Sequence, residues 1–195
     1  MATWTMMVTV TKDQWLELHR RTLDCIRAVI RGISSEMLLW EPETTKGKTK
    51  ETSCHEPRPF CIGAIIAHLC DTDVHWLDEV GMIAKFAAPR QADRNARMFE
   101  TILDLIEQQY REVLTASPKD RHVLFGMGRV CQHNLHHLAQ IVHLRCLQES
   151  EWQPPAAGQP GSWEHAADYI TDLLILGDKA THTASQGGEN DRKGI

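Results

Sequence analysis

Three of the eleven histidines lie within a stretch of five residues inside the segment CQHNLHHLAQ, residues 131–140. His133 and His137 are four residues apart, so in a helix they lie on one face, a single turn apart. Two neutral imidazoles with this spacing can supply half of a binding site for a divalent metal ion. The same spacing also arises by chance, and buried histidines are often held by one hydrogen bond without a metal. The alternative interpretation is therefore that His133 and His137 are a purely structural pair that binds no metal.

A third histidine, His68, has the position needed to complete such a site. It lies on the apolar stripe of another predicted helix, together with Ile65, Leu69, Thr72 and Trp76. If that helix packs against the segment that contains His133 and His137, three imidazoles from two helices meet and leave positions open for water and substrate. Six other histidines are interpreted as structural or exposed: His19, His75, His122, His136, His143 and His165. Of these, His75 is the one that could support His68.

Helices are predicted for every segment that must position these histidines. The first begins at a capping box, Thr11 to Gln14, and ends near Gly32. Others are predicted at about 62–86, at 95–116 and from near Pro118 to about 148, with a short helical turn at 34–38 and a last helix at 162–176. No segment shows the alternating pattern of a β-strand, so the predicted fold class is all-α.

The predicted helices belong to one domain, residues 1–176. Within it, residues 43–60 form a long polar loop without periodicity, which either covers a site or has no fixed structure. The tail at 177–195 is polar and is predicted to be disordered.

The composition argues against several kinds of partner. The net charge is −5 and the basic residues are scattered, so no nucleic-acid-binding surface is indicated. No apolar run reaches the roughly 20 residues that span a bilayer. The N-terminal segment lacks the positive region and the cleavage site of a secretory signal. We therefore expect a cytoplasmic protein that binds neither nucleic acid nor membranes.

The six cysteines do not indicate a disulfide framework. Four have the helical spacing of small buried apolar residues: Cys25, Cys70, Cys131 and Cys146. A cytoplasmic setting keeps such thiols reduced. Cys54 and Cys61 lie in the polar loop with His55 but lack the two paired ligands of a structural zinc site.

Two other classes of metal site are excluded by spacing. A di-iron carboxylate bundle needs Glu-x-x-His pairs, and neither His133 nor His137 has a glutamate three residues before it. A zincin needs His-Glu-x-x-His, and the residue after His133 is Asn134.

One carboxyl and one amide side chain have the spacing to support a metal-binding histidine. Asp71 is three residues after His68, and Gln140 is three residues after His137, so each can lie beside its histidine on a helix. Asp71 and Gln140 are therefore the candidate catalytic or supporting residues, and Asp73 is a further candidate for such a role. For Asp71 and the nearby Asp73, a charge that faces solvent is the favoured alternative.

Three segments resemble the DinB/YfiT-like family. CIGAIIAHL at 61–69 looks like the start of that family's second helix, where an Ile-Gly pair precedes a histidine. HNLHHLAQ at 133–140 resembles its His-x-x-x-His-x-x-Gln motif, and LWEP at 39–42 fits the linker before the second helix. The resemblance covers roughly residues 10–150. One departure is Leu138-Ala139, where many relatives have Arg-Gly, which removes a fixed cation near the site.

The resemblance implies an up-down-down-up four-helix bundle, to which the helix predicted at 162–176 is an addition, and a homodimer. It implies a divalent metal, zinc or nickel, held by His68, His133 and His137. It also implies a metal-dependent enzyme acting on a small molecule, either a transferase that uses a low-molecular-weight thiol as cosubstrate or a hydrolase. The alternative is a non-catalytic bundle in which the metal has a structural or regulatory role. A fourth ligand from His75 or Asp71 would favour that alternative.

Overall fold

The computed structural model describes residues 10–43, 60–116 and 121–157, and after these residues 159, 161, 162, 164, 166, 167 and 169. The helices are α1 (Lys12–Ile30), α2 (Ser35–Leu39), α3 (Ile62–Glu79), α4 (Ala96–Ala116) and α5 (Arg121–Gln148), with a 3₁₀ turn at Gln91–Asp93. No β-strand occurs among the described residues. The all-helical fold predicted from the sequence is confirmed. None of the described helices is both long enough and apolar enough to cross a membrane.

Several predictions concern residues outside this description. The loop predicted at 43–60 is described only at its two end residues, and the predicted tail at 177–195 lies entirely outside. Of the predicted last helix at 162–176, residues 164, 166, 167 and 169 are helical, and residues 170–176 lie outside the described part. The assignment of residues 1–176 to one domain stays a prediction.

Helix α1 begins at the predicted capping box. The backbone N–H of Gln14 donates to Thr11 Oγ1 at 3.3 Å, and the backbone N–H of Thr11 donates to Gln14 Oε1 at 2.7 Å. These two bonds satisfy backbone donors that the first helical turn leaves without partners. The helix ends at Ile30, just before Gly32, which has a φ of +73°.

Helix α3 ends earlier than predicted, at Glu79 and not near residue 86. Gly81 has a φ of +75° and its N–H donates to the carbonyl of Asp78 at 2.9 Å. The N–H of Met82 donates to the carbonyl of Leu77 at 2.8 Å. These two bonds form a Schellman motif, in which a left-handed glycine stops the helix and satisfies its last carbonyls. The apolar pattern beyond Gly81 belongs to a loop that packs on the core.

The four long helices pack around one hydrophobic core, with α4 and α5 each contacting both α1 and α3. On α1 and α4, Arg27 pairs with Asp104 at 2.8 Å, whereas the earlier His19 stacks on the later Tyr110. These two helices are therefore antiparallel.

Contacts between side chains also give the directions of α4 and α5 relative to α3. A Cβ on Gly63, near the start of α3, would lie 3.5 Å from the side chain of Arg94, which precedes α4, and Asp73 bonds Tyr110 further along both helices. Helices α3 and α4 are therefore parallel. His68 meets His133, whereas the later Trp76 lies against the earlier Gly126, so α3 and α5 are antiparallel.

Two glycines within α5 admit tryptophan rings from the neighbouring helices. A Cβ at position 126 would overlap Nε1 of Trp76, and one at position 128 would lie 3.1 Å from the ring of Trp15. Glycine inside a helix costs about 1 kcal/mol relative to alanine. Close packing of the two indole rings explains why α5 carries glycine at these positions.

The cysteines differ in part from their predicted placement. Cys25, Cys70 and Cys131 are buried in the core as predicted, but Cys146 is exposed. Cys61, predicted to lie in the polar loop, is buried at the N-cap of α3. These five cysteines are free thiols, and Cys54 and His55 lie outside the described residues.

Candidate metal centre

Helices α3 and α5 bring His68, His133 and His137 together. One ring nitrogen from each histidine lies within 4.8 Å of the other two. The Nε2 atoms of His68 and His133 are 3.1 Å apart. The centroids of the three ring pairs are separated by 4.5–5.0 Å. The three histidines singled out in the sequence therefore form one cluster.

The surroundings of His133 favour a neutral imidazole. His137 is buried, and His68 and His133 are half-buried. Burial, with the nearby His137 and His68, lowers the pKa of His133 from 6.5 to about 4. The ring is therefore uncharged at pH 7, which is the form that binds a metal ion.

Gln140 orients one member of the cluster. Its Oε1 lies 2.7 Å from Nδ1 of His137. Because an amide oxygen only accepts hydrogen bonds, Nδ1 of His137 carries the proton and Nε2 is left as the ring nitrogen with a lone pair. This is the arrangement that commonly orients histidine ligands of metals. The predicted proximity of Gln140 to His137 is confirmed.

The spacing of one pair of imidazoles in the cluster fits a divalent ion. Two nitrogens that each lie about 2.1 Å from one ion, at tetrahedral or octahedral angles, are roughly 3.0–3.4 Å apart, as are the Nε2 atoms of His68 and His133. Nδ1 of His133 is buried and has no hydrogen-bond partner among the described residues. The same 3.1 Å also fits an N–H···N hydrogen bond between two core histidines. Imidazole nitrogen is a suitable donor for zinc or nickel.

Neither candidate for a fourth ligand belongs to the cluster. The side chain of His75 is 76% exposed, and its Nε2 lies 3.4 Å from a carboxylate oxygen of Glu79. Asp71 is exposed and lines a separate shallow groove with Asp78. His136 is exposed at the edge, with its ring centroid 5.0 Å from that of His137. In the part of the chain that the structure describes, the cluster has three members.

The cluster opens onto a pocket of about 580 Å³ between α3 and α5. His133 and His137 form part of its wall, and Trp76 and Phe125 give it an aromatic lining. A cavity of this size lies within the range that accommodates small-molecule ligands. A ligand in the pocket would therefore lie against two of the three histidines.

A buried polar cluster beside the pocket was not predicted. Asp73 is 1% exposed, and its carboxylate accepts a hydrogen bond from the hydroxyl of Tyr110. The ring of Tyr110 stacks on His19 on one side, at 4.1 Å between centroids, and on Trp76 at 4.9 Å. The favoured interpretation of Asp73 as a solvent-facing charge is therefore wrong, because α4 covers that face of α3 and supplies the hydrogen-bond donor.

Burial shifts the pKa of all three polar groups in this cluster. It raises the pKa of Asp73 from 3.8 to about 7, against the lowering effect of the Tyr110 hydrogen bond. It also raises the pKa of Tyr110 well above its ordinary value, with Asp73 adding to the effect. It lowers the pKa of His19 to about 3. Both ring nitrogens of His19 lack a partner within the described residues, and its ring stacks on Tyr110.

No family model, no curated protein and no solved structure matches this chain. What the chain does is therefore inferred from the cluster, the pocket and the residues around them.

Proposed function

We propose that this protein is a metal-dependent enzyme that acts on a small molecule, with zinc or nickel held by His68, His133 and His137. The observation that carries the proposal is the convergence of three imidazoles, from two helices, beside a pocket of about 580 Å³. Three protein ligands leave at least one coordination position for water or a substrate, which is typical of catalytic sites. A site closed by a fourth protein ligand would instead be structural, and neither His75 nor Asp71 belongs to the three-histidine cluster.

The reaction class we propose is thiol-dependent group transfer, with metal-dependent hydrolysis as the related possibility. The resemblance of three segments to the DinB/YfiT-like family supports it. The helix directions found here are compatible with that family's up-down-down-up four-helix bundle, followed by an additional C-terminal helix. A cytoplasmic homodimer belongs to the same proposal.

A divalent ion at this site would lower the pKa of a bound thiol or water toward neutrality and so supply a nucleophile. Within the described residues, no cysteine of the chain lines the pocket. The two cysteines closest in sequence to the histidines, Cys70 and Cys131, are buried in the core, and burial raises the pKa of both thiols. We therefore propose that the reacting thiol comes from a low-molecular-weight cosubstrate.

The chain's own residues position the reactants. Gln140 holds His137 in one orientation by the 2.7 Å contact with Nδ1. Trp76, 5% exposed, forms a fixed wall because Gly126 lies against its indole and Tyr110 stacks on its ring. A rigid wall of this kind keeps water away from one side of the pocket.

The first test is the metal content of the purified protein, measured by elemental mass spectrometry. We expect close to one divalent ion per chain, lost in His68→Ala and in His137→Ala without loss of helical circular dichroism. His143→Ala is the matched control, because His143 is exposed on α5 and lies outside the cluster. No bound metal, and none taken up from added zinc or nickel, would contradict the proposal.

A second measurement separates an enzyme from a non-catalytic metal-binding bundle. In the cobalt-substituted protein, an added thiol should change the visible absorption, because an open position lets the sulfur reach the ion. Thiol consumption by small electrophiles should then depend on the metal. A stoichiometric ion whose spectrum does not respond to thiol would support the structural or regulatory role.

A further inference from the structure

The wall of the pocket contains one arginine, Arg129, and among the described residues it has no carboxylate partner. Arg129 lies on α5 one turn before His133 and two turns before His137, so the three side chains project from the same side of the helix. An arginine that faces a cavity without a carboxylate can pair with an anion of the ligand.

Besides Arg129, the wall contains two aromatic side chains, four histidines and little competing negative charge. Phe125 is 66% exposed, and the Arg129 guanidinium carbon lies 5.8 Å from the centroid of its ring. Across the pocket lies Trp76 of α3. The one acidic residue among the described lining residues is Glu79, and its carboxylate lies 3.4 Å from His75.

We propose that Arg129 is the anion-binding residue of this pocket, and that the ligand is a small, flat apolar molecule, such as an aromatic one, that carries a carboxylate. This proposal rests on the proposed function and names the substrate class of the same site. The carboxylate matches the guanidinium, and the aromatic part matches the exposed ring of Phe125 and the edge of Trp76.

The spacing along α5 places such a ligand across both parts of the site. Arg129 and His133 are four residues apart, so their backbone positions differ by about 6 Å along the helix axis. This distance is close to the length of one substituted ring. With the carboxylate on Arg129, the opposite end of the molecule lies beside His133 and His137.

The test is ligand-observed fluorine NMR with 4-fluorophenylacetate and its neutral analogue 4-fluorophenylacetamide, titrated against the full chain at pH 8. The first series uses metal-free protein, so that a carboxylate cannot bind through the metal. We expect the acid to bind about tenfold more tightly than the amide, the ratio that one charge-assisted hydrogen-bonded pair provides. Arg129→Gln should reduce this ratio to about one, and Arg129→Lys should keep part of it.

The matched control is Arg97→Gln, because Arg97 is exposed on α4 and does not line the pocket. It should keep the wild-type ratio. The proposal is overturned if neither probe binds, if the acid and the amide bind equally to the wild type, or if Arg129→Gln keeps the preference.

Metal content, measured on the same protein preparations before the metal is removed, distinguishes this proposal from the proposed function. Loss of the acid preference in Arg129→Gln, in a chain that takes up no metal, would support an anion site while contradicting the metal enzyme. If the wild type has normal metal content but shows no acid preference, the proposed metal site stands and the proposed role of Arg129 is overturned.

Discussion

Gln140 Oε1 lies 2.7 Å from Nδ1 of His137, one turn further along the same helix. The contact sets the tautomer of the imidazole and the orientation of its ring. Hydrogen bonds of this kind raise the affinity of histidine for metals, and their loss typically costs 10–100-fold.

Gln140→Ala should therefore weaken zinc or nickel binding by about 10–100-fold, because His137 loses its fixed orientation. A competition titration with a chromophoric chelator measures the change. Gln108→Ala is the control, since Gln108 is exposed on α4, does not line the pocket and should keep wild-type affinity. Gln140→Glu, which retains an acceptor oxygen, should bind metal nearly as well as the wild type. Equal affinity in Gln140→Ala would contradict an orienting role.

The burial of Asp73 should make the protein less stable as the pH rises. Its pKa is raised from 3.8 to about 7, so between these values the folded state holds a proton that the unfolded state has lost. The contribution to stability is fully present below pH 4 and is lost as the pH rises to 7.

Asp73→Asn removes this loss while keeping an acceptor for the Tyr110 hydroxyl. Relative to that of the wild type, the free energy of unfolding of the variant should increase by roughly 2–4 kcal/mol between pH 4 and pH 8. Urea denaturation at the two pH values measures the difference. Asp78→Asn, an exposed position on the same helix, should show no such gain. A gain of the same size in both variants would show that burial of Asp73 is not the cause.

His19 should have the opposite dependence. Its pKa is lowered from 6.5 to about 3, so its contribution is fully present above pH 6.5 and is lost as the pH falls toward 3. His19→Phe keeps an aromatic ring to stack on Tyr110 and removes the titrating group. When the pH falls from 7 to 4.5, the free energy of unfolding of the wild type should decrease by roughly 2–3 kcal/mol relative to that of this variant. Urea denaturation measures the change. A constant difference across this range would mean that His19 is reached by water and protonates in the folded state.

Gly126→Ala should destabilise the protein by about 1–3 kcal/mol, although alanine is the better helix former. The added Cβ would overlap the indole nitrogen of Trp76, and stacking on Tyr110 prevents the ring from moving away. Thermal or urea denaturation checks this. Gly128→Ala should cost less, because Trp15 is only partly buried and can shift. A Gly126→Ala variant as stable as the wild type would show that Trp76 is free to move.

Local patterns account for what could be predicted. The capping box at Thr11 depends on contacts three residues apart, so the sequence shows both partners. His133, His137 and Gln140 share a face by helical spacing alone. The early end of α3 was also a local signal, because a glycine in the left-handed conformation ends many helices, but the apolar residues after Gly81 obscured it.

Contacts between helices could not be predicted in the same way. Asp73, Tyr110 and His19 come from α3, α4 and α1 and are separated by 37 or more positions. No spacing rule relates residues so far apart, and a single aspartate in a helix is usually exposed. Only the parallel packing of α4 on α3 covers Asp73 and brings a tyrosine hydroxyl to it.

The order of the amino acids was enough to predict the helices, the capping of α1 and the two histidines that share a face of α5, because these follow from the periodicity and hydrogen bonding of a single helix. Packing between helices brings His68 to these two histidines and holds Trp76 between Gly126 and Tyr110. It also places Arg129 in the wall of the pocket beside them. These relationships depend on how separate helices are oriented and how closely they approach, which is set by packing of the whole core.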